Sequence, residues 1–326
     1  MPSENEAEED VSPPMPFLPI TSPETVGLCS SLPLRPNDIF ICSYPKSGTT
    51  WTQHIVLSLL MKARENKGME KLDYSHVSSY APFYEVDQHW KAGESDLNPS
   101  IRANHEKLGR RVFNTHLRWD MLPKNMEGGA RSDAGSDKAR FIYIARSPMD
   151  VCLSFYCHLS NQNEGGYEGT FDSFFDEWMR GEIAFGSYID HVLSFVPALK
   201  DAGGDREILL VTYEELVSDL SMVVSRIATF IEADVSKEDI TELLPTFSFQ
   251  QMKSDLDRFQ PRSVTWKKGF QFLRKGVTGD SKNVATDAQR HQLSELFDDK
   301  CFASKLQSAL AESSPSDLEK ILALVR

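Results

Sequence analysis

Four short runs of apolar, β-branched and aromatic residues, at 39–43, 111–115, 141–145 and 208–212, stand out along the chain. They are too short for helices and lack polar alternation, so they predict strands buried on both faces. Between them lie segments with apolar positions at helical spacing: 50–64, 149–160, 171–179, 188–199, 213–231 and the tail beyond 303. These predict amphipathic helices. Strands separated by helices predict an α/β fold, one domain with a central parallel sheet flanked by helices. Ligands of such sheets sit beyond the carboxyl ends of the strands.

The first strand leads into Tyr44-Pro45-Lys46-Ser47-Gly48-Thr49-Thr50-Trp51 and then a helix. A strand, a tight glycine-containing turn and a helix N-terminus make an anion site, because the first N–H groups of the helix lack partners and the helix dipole reinforces them. Lys46 adds a charge, Ser47, Thr49 and Thr50 add hydroxyls, and Trp51 offers a face for a purine. The spacing GxxxxGK[ST] of nucleotide triphosphatases is absent, and no apolar strand ends in an aspartate to hold magnesium. The turn is therefore P-loop-like and predicts an anion held by Lys, Arg and backbone, with no metal.

Two further basic elements extend this picture. Arg274-Lys275-Gly276 is followed by Gly279-Asp280, a loop whose glycines let backbone approach a phosphate while a guanidinium clamps it. Arg146 directly follows the run 141–145, on the ligand side of the sheet, and Ser154 lies two helical turns further on.

Composition narrows the choice. The chain has 326 residues, 40% hydrophobic and 25% charged, which is ordinary for a globular protein. A net charge of −13 argues against a protein devoted to nucleic acid or an anionic membrane, but not against a local basic pocket. Residues 1–34 hold six acids, several prolines and no Lys or Arg, and read as a flexible acidic arm whose Met15-Pro16-Phe17-Leu18 patch is able to dock on the body at 35–326. A second weakly patterned stretch runs from 124 to 138. No apolar run reaches membrane-spanning length, and the acidic start predicts neither a signal peptide nor an anchor. Five cysteines without a CxxC spacing fit a reduced, cytoplasmic setting.

In this order the three basic elements resemble the soluble sulfotransferases that use 3′-phosphoadenosine 5′-phosphosulfate (PAPS). The resemblance runs from Arg35-Pro36-Asn37-Asp38 through the turn at Tyr44 to Trp51, then Thr115-His116-Leu117, Arg146-Ser147-Pro148-Met149-Asp150 and Ser154. It continues through Met179-Arg180-Gly181-Glu182, Tyr213-Glu214-Glu215-Leu216, Ser248-Phe249-Gln250-Gln251-Met252 and Arg274-Lys275-Gly276. It implies that Lys46, Ser47, Gly48, Thr49 and Thr50 hold the 5′-phosphosulfate. Trp51, Tyr213 and Phe249 would frame the adenine, with Phe247, Ser248 and Met252 nearby. Arg146, Ser154, Arg274, Lys275 and Gly276 would bind the 3′-phosphate.

The resemblance also implies His116 as general base and Lys46 as the group that neutralises the leaving oxygen when PAPS becomes 3′,5′-adenosine diphosphate (PAP). Ser154 would hold Lys46 aside until an acceptor arrives. Phe83, Tyr84, Asn114, His116 and Tyr156 fall where the family lines its acceptor site, and the aromatic clusters suit a small hydrophobic or aromatic alcohol or amine. The stripe Phe171, Phe174, Phe175, Trp178 has helical spacing and reads as core.

Several positions depart from the family. Phe247 replaces a usual Thr, Asn114 a common Lys, Ser281 the Trp after Gly-Asp, and Ala285-Thr286 the usual Phe-Thr. The family's KxxxTVxxxE dimer segment is degraded to Lys282…Thr286-Asp287…His291, although a homodimer remains open. Two rival readings are a catalytically impaired PAP- or PAPS-binding protein and a P-loop small-molecule kinase. The first requires a defective base, yet His116 and Lys46 are present; the second requires the missing loop spacing.

Overall fold

The computed structural model describes residues 15–91, 96–125, 138–200, 206–298, 319–321 and 323–324. Four strands, β1 (Ile39–Ser43), β2 (Val112–Thr115), β3 (Ala139–Ala145) and β4 (Arg206–Thr212), form one sheet in the order β2-β1-β3-β4. Every pairing is parallel. The helices are α1 (Pro23–Ser31), α2 (Thr49–Asn66), α3 (Pro99–Leu108), α4 (Pro148–Leu159), α5 (Phe171–Met179) and α6 (Tyr188–Lys200). They continue with α7 (Tyr213–Ser218), α8 (Leu220–Phe230), α9 (Lys237–Leu243), α10 (Phe249–Ser254) and α11 (Asp287–Asp298). The α/β class with a central parallel sheet is thus the observed one.

Side chains alternate across the sheet and divide the core in two. Phe40, Cys42, Phe113, Phe141 and Tyr143 face a layer built from α1, α4, α5 and α6. Ile39, Ile41, Val112, Ile142 and Ile144 face α2, α8 and α9. With both faces covered, every residue of β1 and β3 is buried. Register pairs Phe40 with Phe113 on one side and Phe141 on the other. Their rings stack at 4.9 and 4.8 Å, a ladder across three strands. Each such pair contributes about 0.5–1.5 kcal/mol beyond its buried area, so this ladder helps hold β1 between its neighbours.

The strand and helix expectations hold with shifts of one or two residues at most ends. One does not: the expected helix 213–231 is two helices. Asp219 leaves helical geometry (φ −147°, ψ 75°), and its carboxylate accepts the N–H of Met222 at 3.0 Å as the N-cap of α8. Residues 15–34 also belong to the body rather than to a free arm. The Met15 patch does dock, Ser22 caps α1, and Cys29, Leu32 and Leu34 are buried. Residues 1–14, nearly all of 124–138, and most of the helix expected beyond 303 lie outside the described residues.

Chain order places β2 on one side of β1 and β3 on the other, so the first crossover runs out from β1 to β2 and the second returns past β1 to β3, reversing the strand order. That is the switch point where a crevice opens beyond the strand ends. The residues leaving all four strands there are the turn starting at Tyr44, His116, Arg146 and Tyr213.

Candidate functional site

The turn after β1 is built to leave donors unspent. Gly48 is the N-cap of α2 at φ 112°, and no side chain caps the helix. A Cβ on Gly48 would lie 3.0 Å from the Tyr213 ring, so glycine answers both the left-handed backbone and the close approach. Lys46 is also left-handed, at φ 70°. Its carbonyl is fixed there by Nη1 of Arg146, which donates at 3.0 Å. Ser43 and Thr49 hydroxyls bond at 2.6 Å across the turn.

Arg146 is the clamp of the site. Besides Lys46 O, its Nη2 donates to Val277 O at 3.3 Å, and its guanidinium lies 4.1 Å over the Tyr213 ring. The turn after β1 and the loop at 274–280 are therefore neighbours in space. Asp150 secures that loop by accepting the N–H groups of Gly279 at 2.6 Å and Ser281 at 2.9 Å. Asp280 holds Arg274 and Lys275, each at 2.5 Å. Gly276 (φ 67°) lies under the Phe249 ring, where a Cβ would approach Cδ2 to 2.3 Å. Trp51 and Tyr213 meet edge to face at 5.9 Å.

Three buried groups able to donate a hydrogen bond have no partner in this cluster: Ser47 Oγ, Trp51 Nε1 and Arg146 Nε. An unpaired buried polar atom costs about 1–3 kcal/mol, and three in one crevice beside an uncapped helix fit a polyanionic ligand with hydrogen-bonding groups. Burial, with Arg146 and then Arg274 adding repulsion, pulls the Lys46 ammonium down to about 7. An anion beside it would reverse that shift.

His116 follows β2 directly. Nδ1–H donates to Ser43 O at 2.8 Å, which leaves Nε2 as the unprotonated nitrogen. Burial pulls the imidazole down to about 4, with the Ser43 carbonyl opposing and Lys46 assisting. The rings of Phe83 and Phe185 stand at 5.2 Å on its flanks. Its backbone N–H is bonded by Glu85 Oε1 at 2.6 Å. Burial raises that carboxyl to about 8, so it carries its proton at neutral pH.

Not every expected residue joins the cluster. Tyr84, in the turn at 83–86, is buried in the core and donates to Cys29 O at 2.8 Å. Asn114 spends its amide on Ala81 O at 2.8 Å. Tyr156 packs with Phe171 and Phe174. The stripe on α5 is core, as its spacing predicts. Phe247 is fully buried against His54 at 5.1 Å, beneath α2. Ser248 caps α10, and Met252 is buried behind it. Lys46 Nζ donates to His158 Nδ1 at 3.3 Å rather than to Ser154, and lies 4.2 Å over Phe272.

The sequence reading passed over Glu85, Asp150, Phe185, His158 and Phe272. Two signals were available. Asp150 lies four residues after Arg146, and His158 lies four after Ser154, the helical spacing that shares a face.

The two cationic turns and His116 thus gather beyond the strand ends, and the comparisons give the chain a family. The family model described as "Sulfotransferase domain" matches residues 36–308, and the chain belongs to that family. Among curated relatives, Sulfotransferase 1C2 of Oryctolagus cuniculus is 29% identical over 279 residues, covering 83% of this chain and 85% of that protein. Sulfotransferase 2A1 of Homo sapiens is 29% identical over 269 residues, 82% and 85% of the two chains. A mouse sulfotransferase, SULT7A1, crystallised with PAP, superposes with a TM-score of 0.60 at 25% identity over 87% and 91% of the two chains. Retinol dehydratase shares the fold, with a TM-score of 0.62 at 21% identity over 89% and 86%.

Proposed function

We propose that the protein moves the sulfuryl group of PAPS to a hydroxyl or amine of a small hydrophobic or aromatic acceptor, releasing PAP. The observation that carries this reading is Arg146 joining the two cationic turns, which are far apart in sequence, with the free Nε2 of His116 beside them. Lys46, Ser47, Gly48, Thr49 and Thr50 would receive the 5′ end, Trp51, Tyr213 and Phe249 the adenine, and Arg146, Arg274, Lys275 and Gly276 the 3′-phosphate.

His116 Nε2 takes the acceptor's proton as the acceptor oxygen or nitrogen attacks sulfur. The S–O bond to the 5′-phosphate breaks with its electron pair on the phosphate oxygen, and Lys46 neutralises that charge. Losing one such preorganised group costs about 3–4 kcal/mol of barrier. Phe83 and Phe185 beside the imidazole support an aromatic or hydrophobic acceptor.

Purified protein incubated with PAPS and a panel of phenols, sterols and amines should yield an acceptor heavier by one sulfonate in mass spectrometry. PAP binding without transfer to any acceptor would favour the binding-only reading, and ATP-dependent phosphorylation would favour a kinase.

A further inference from the structure

The Met15-Pro16-Phe17-Leu18 patch has no part in the reaction above, yet it holds a residue that packs on the proposed base. The link is Phe185, a bulky residue at φ 70° and 1% exposed. A left-handed backbone at such a residue costs about 1–2 kcal/mol and persists only where its surroundings hold it. Pro16 O accepts its N–H at 2.7 Å. The next residue, Gly186, presses on Met15: a Cβ there would lie 3.2 Å from Met15 Cγ. From the inner side Tyr44 Oη donates to Gly186 O at 2.9 Å. Phe185 is thus pinned between the N-terminal segment and the turn after β1.

The same segment grips a second wall. Ile20 O accepts the N–H of Asp87 at 3.0 Å, and the Ser22 N–H donates to Asp87 Oδ1 at 2.7 Å. Asp87 lies two residues beyond Glu85, the carboxyl bonded to the His116 backbone. One stretch of chain therefore fastens both loops that flank His116, one through Phe185 and one through the 83–87 segment that carries Phe83.

We propose that residues 15–22 form a positioning strap that closes the aromatic wall around His116, keeping water from the imidazole and so favouring the proton of a docked acceptor. This rests on the reading of His116 as the base. The titratable groups facing His116 are Lys46, His158 and His191, whose Nε2–H donates to His116 O at 3.2 Å, together with Glu85. None of these is a strap residue, so loosening the strap acts on His116 through its exposure to water.

The test is a pH titration of full-length protein labelled at histidine Cε1 with carbon-13, with the His116 signal assigned by its loss in His116→Gln. In Met15→Asp the His116 midpoint should rise by at least about one pH unit toward the ordinary value of about 6.5, while Met15→Leu stays native. Phe185→Asn removes the ring at a residue type that tolerates the left-handed backbone and should raise the midpoint likewise. PAP affinity by calorimetry should stay within about twofold in every variant, while acceptor kcat/KM falls about tenfold in Met15→Asp and Phe185→Asn, its acid limb moving up with the base. An unchanged His116 midpoint in Phe185→Asn, with PAP bound normally, overturns the strap; that variant decides the matter even where Met15→Asp does not fold. The titration needs no turnover, so a native protein that transfers no sulfuryl group refutes the reaction without touching this result.

Discussion

Binding of PAP should draw a proton from solvent, and Lys46 fixes how much. In the free protein its ammonium is held at about 7, chiefly by burial and then by the Arg146 guanidinium. A phosphate placed in the turn favours the charged form and lifts that value. If it rises above about 10, the lysine goes from roughly one-tenth to fully charged at pH 8, an uptake of about 0.9 proton per PAP, against about 0.5 at pH 7. The sign follows: affinity is greatest below pH 7 and is lost as pH rises, about fivefold from pH 7 to 8 and about ninefold more from 8 to 9. Phosphate monoesters lose their second proton near about pH 6, so at pH 8 the ligand contributes little. Calorimetry at pH 8 in Tris and in HEPES, which differ in ionisation enthalpy, reads the uptake directly. Lys46→Met should abolish it. A binding enthalpy that does not depend on buffer, or an equal uptake in Lys46→Met, refutes the placement of PAP against this lysine.

His116→Ala should lower transfer by about 10²–10⁴-fold while the calorimetric affinity for PAP stays nearly intact; full activity would discard the base. Gly276→Ala forces a left-handed alanine costing about 1–2 kcal/mol and drives a methyl into the Phe249 ring. PAP affinity should fall at least about tenfold, with little change in thermal midpoint because the loop is at the surface. Asp150→Asn replaces two charge-assisted bonds, at Gly279 and Ser281, with at most one good acceptor. At about 1.5–3 kcal/mol per charged bond, PAP should bind roughly 10- to 100-fold more weakly, which the same titration measures.

What was legible in the sequence was whatever local pattern decides. The turn from Tyr44 to Trp51 shows itself because strand, glycine and helix start are contiguous, and the strands because burial on both faces demands unbroken apolar runs. α3 and α9 were also within reach: Asn98-Pro99 with Gly109 marks one, and the capping box of Ser236 and Asp239 marks the other. Partners brought together by tertiary folding were not legible. No local pattern pairs Phe185 with Pro16, Glu85 with the His116 amide, or Lys46 with His158, since each pair lies 31 or more residues apart in sequence. Tyr84 and Phe247 were placed by position in a motif, but the bond to Cys29 O and the packing against His54 hold their side chains in the core.

The site also resolves how a chain of net charge −13 can receive a polyanion. At physiological salt, charges further than about 8 Å from the ligand are largely screened, so acids elsewhere on the surface weigh little. The proposed site gathers Lys46, Arg146, Arg274 and Lys275, and Asp150 and Asp280 among them have structural tasks. Asp150 is spent on the backbone of the 279–281 loop, and Asp280 keeps Arg274 and Lys275 drawn together at 2.5 Å each. Without Asp280 two adjacent cations on a glycine loop would repel and spread. With it they share one carboxylate, and a phosphate arriving beside them meets charges already converged on one place. The acids at the site are therefore part of what makes it cationic in function.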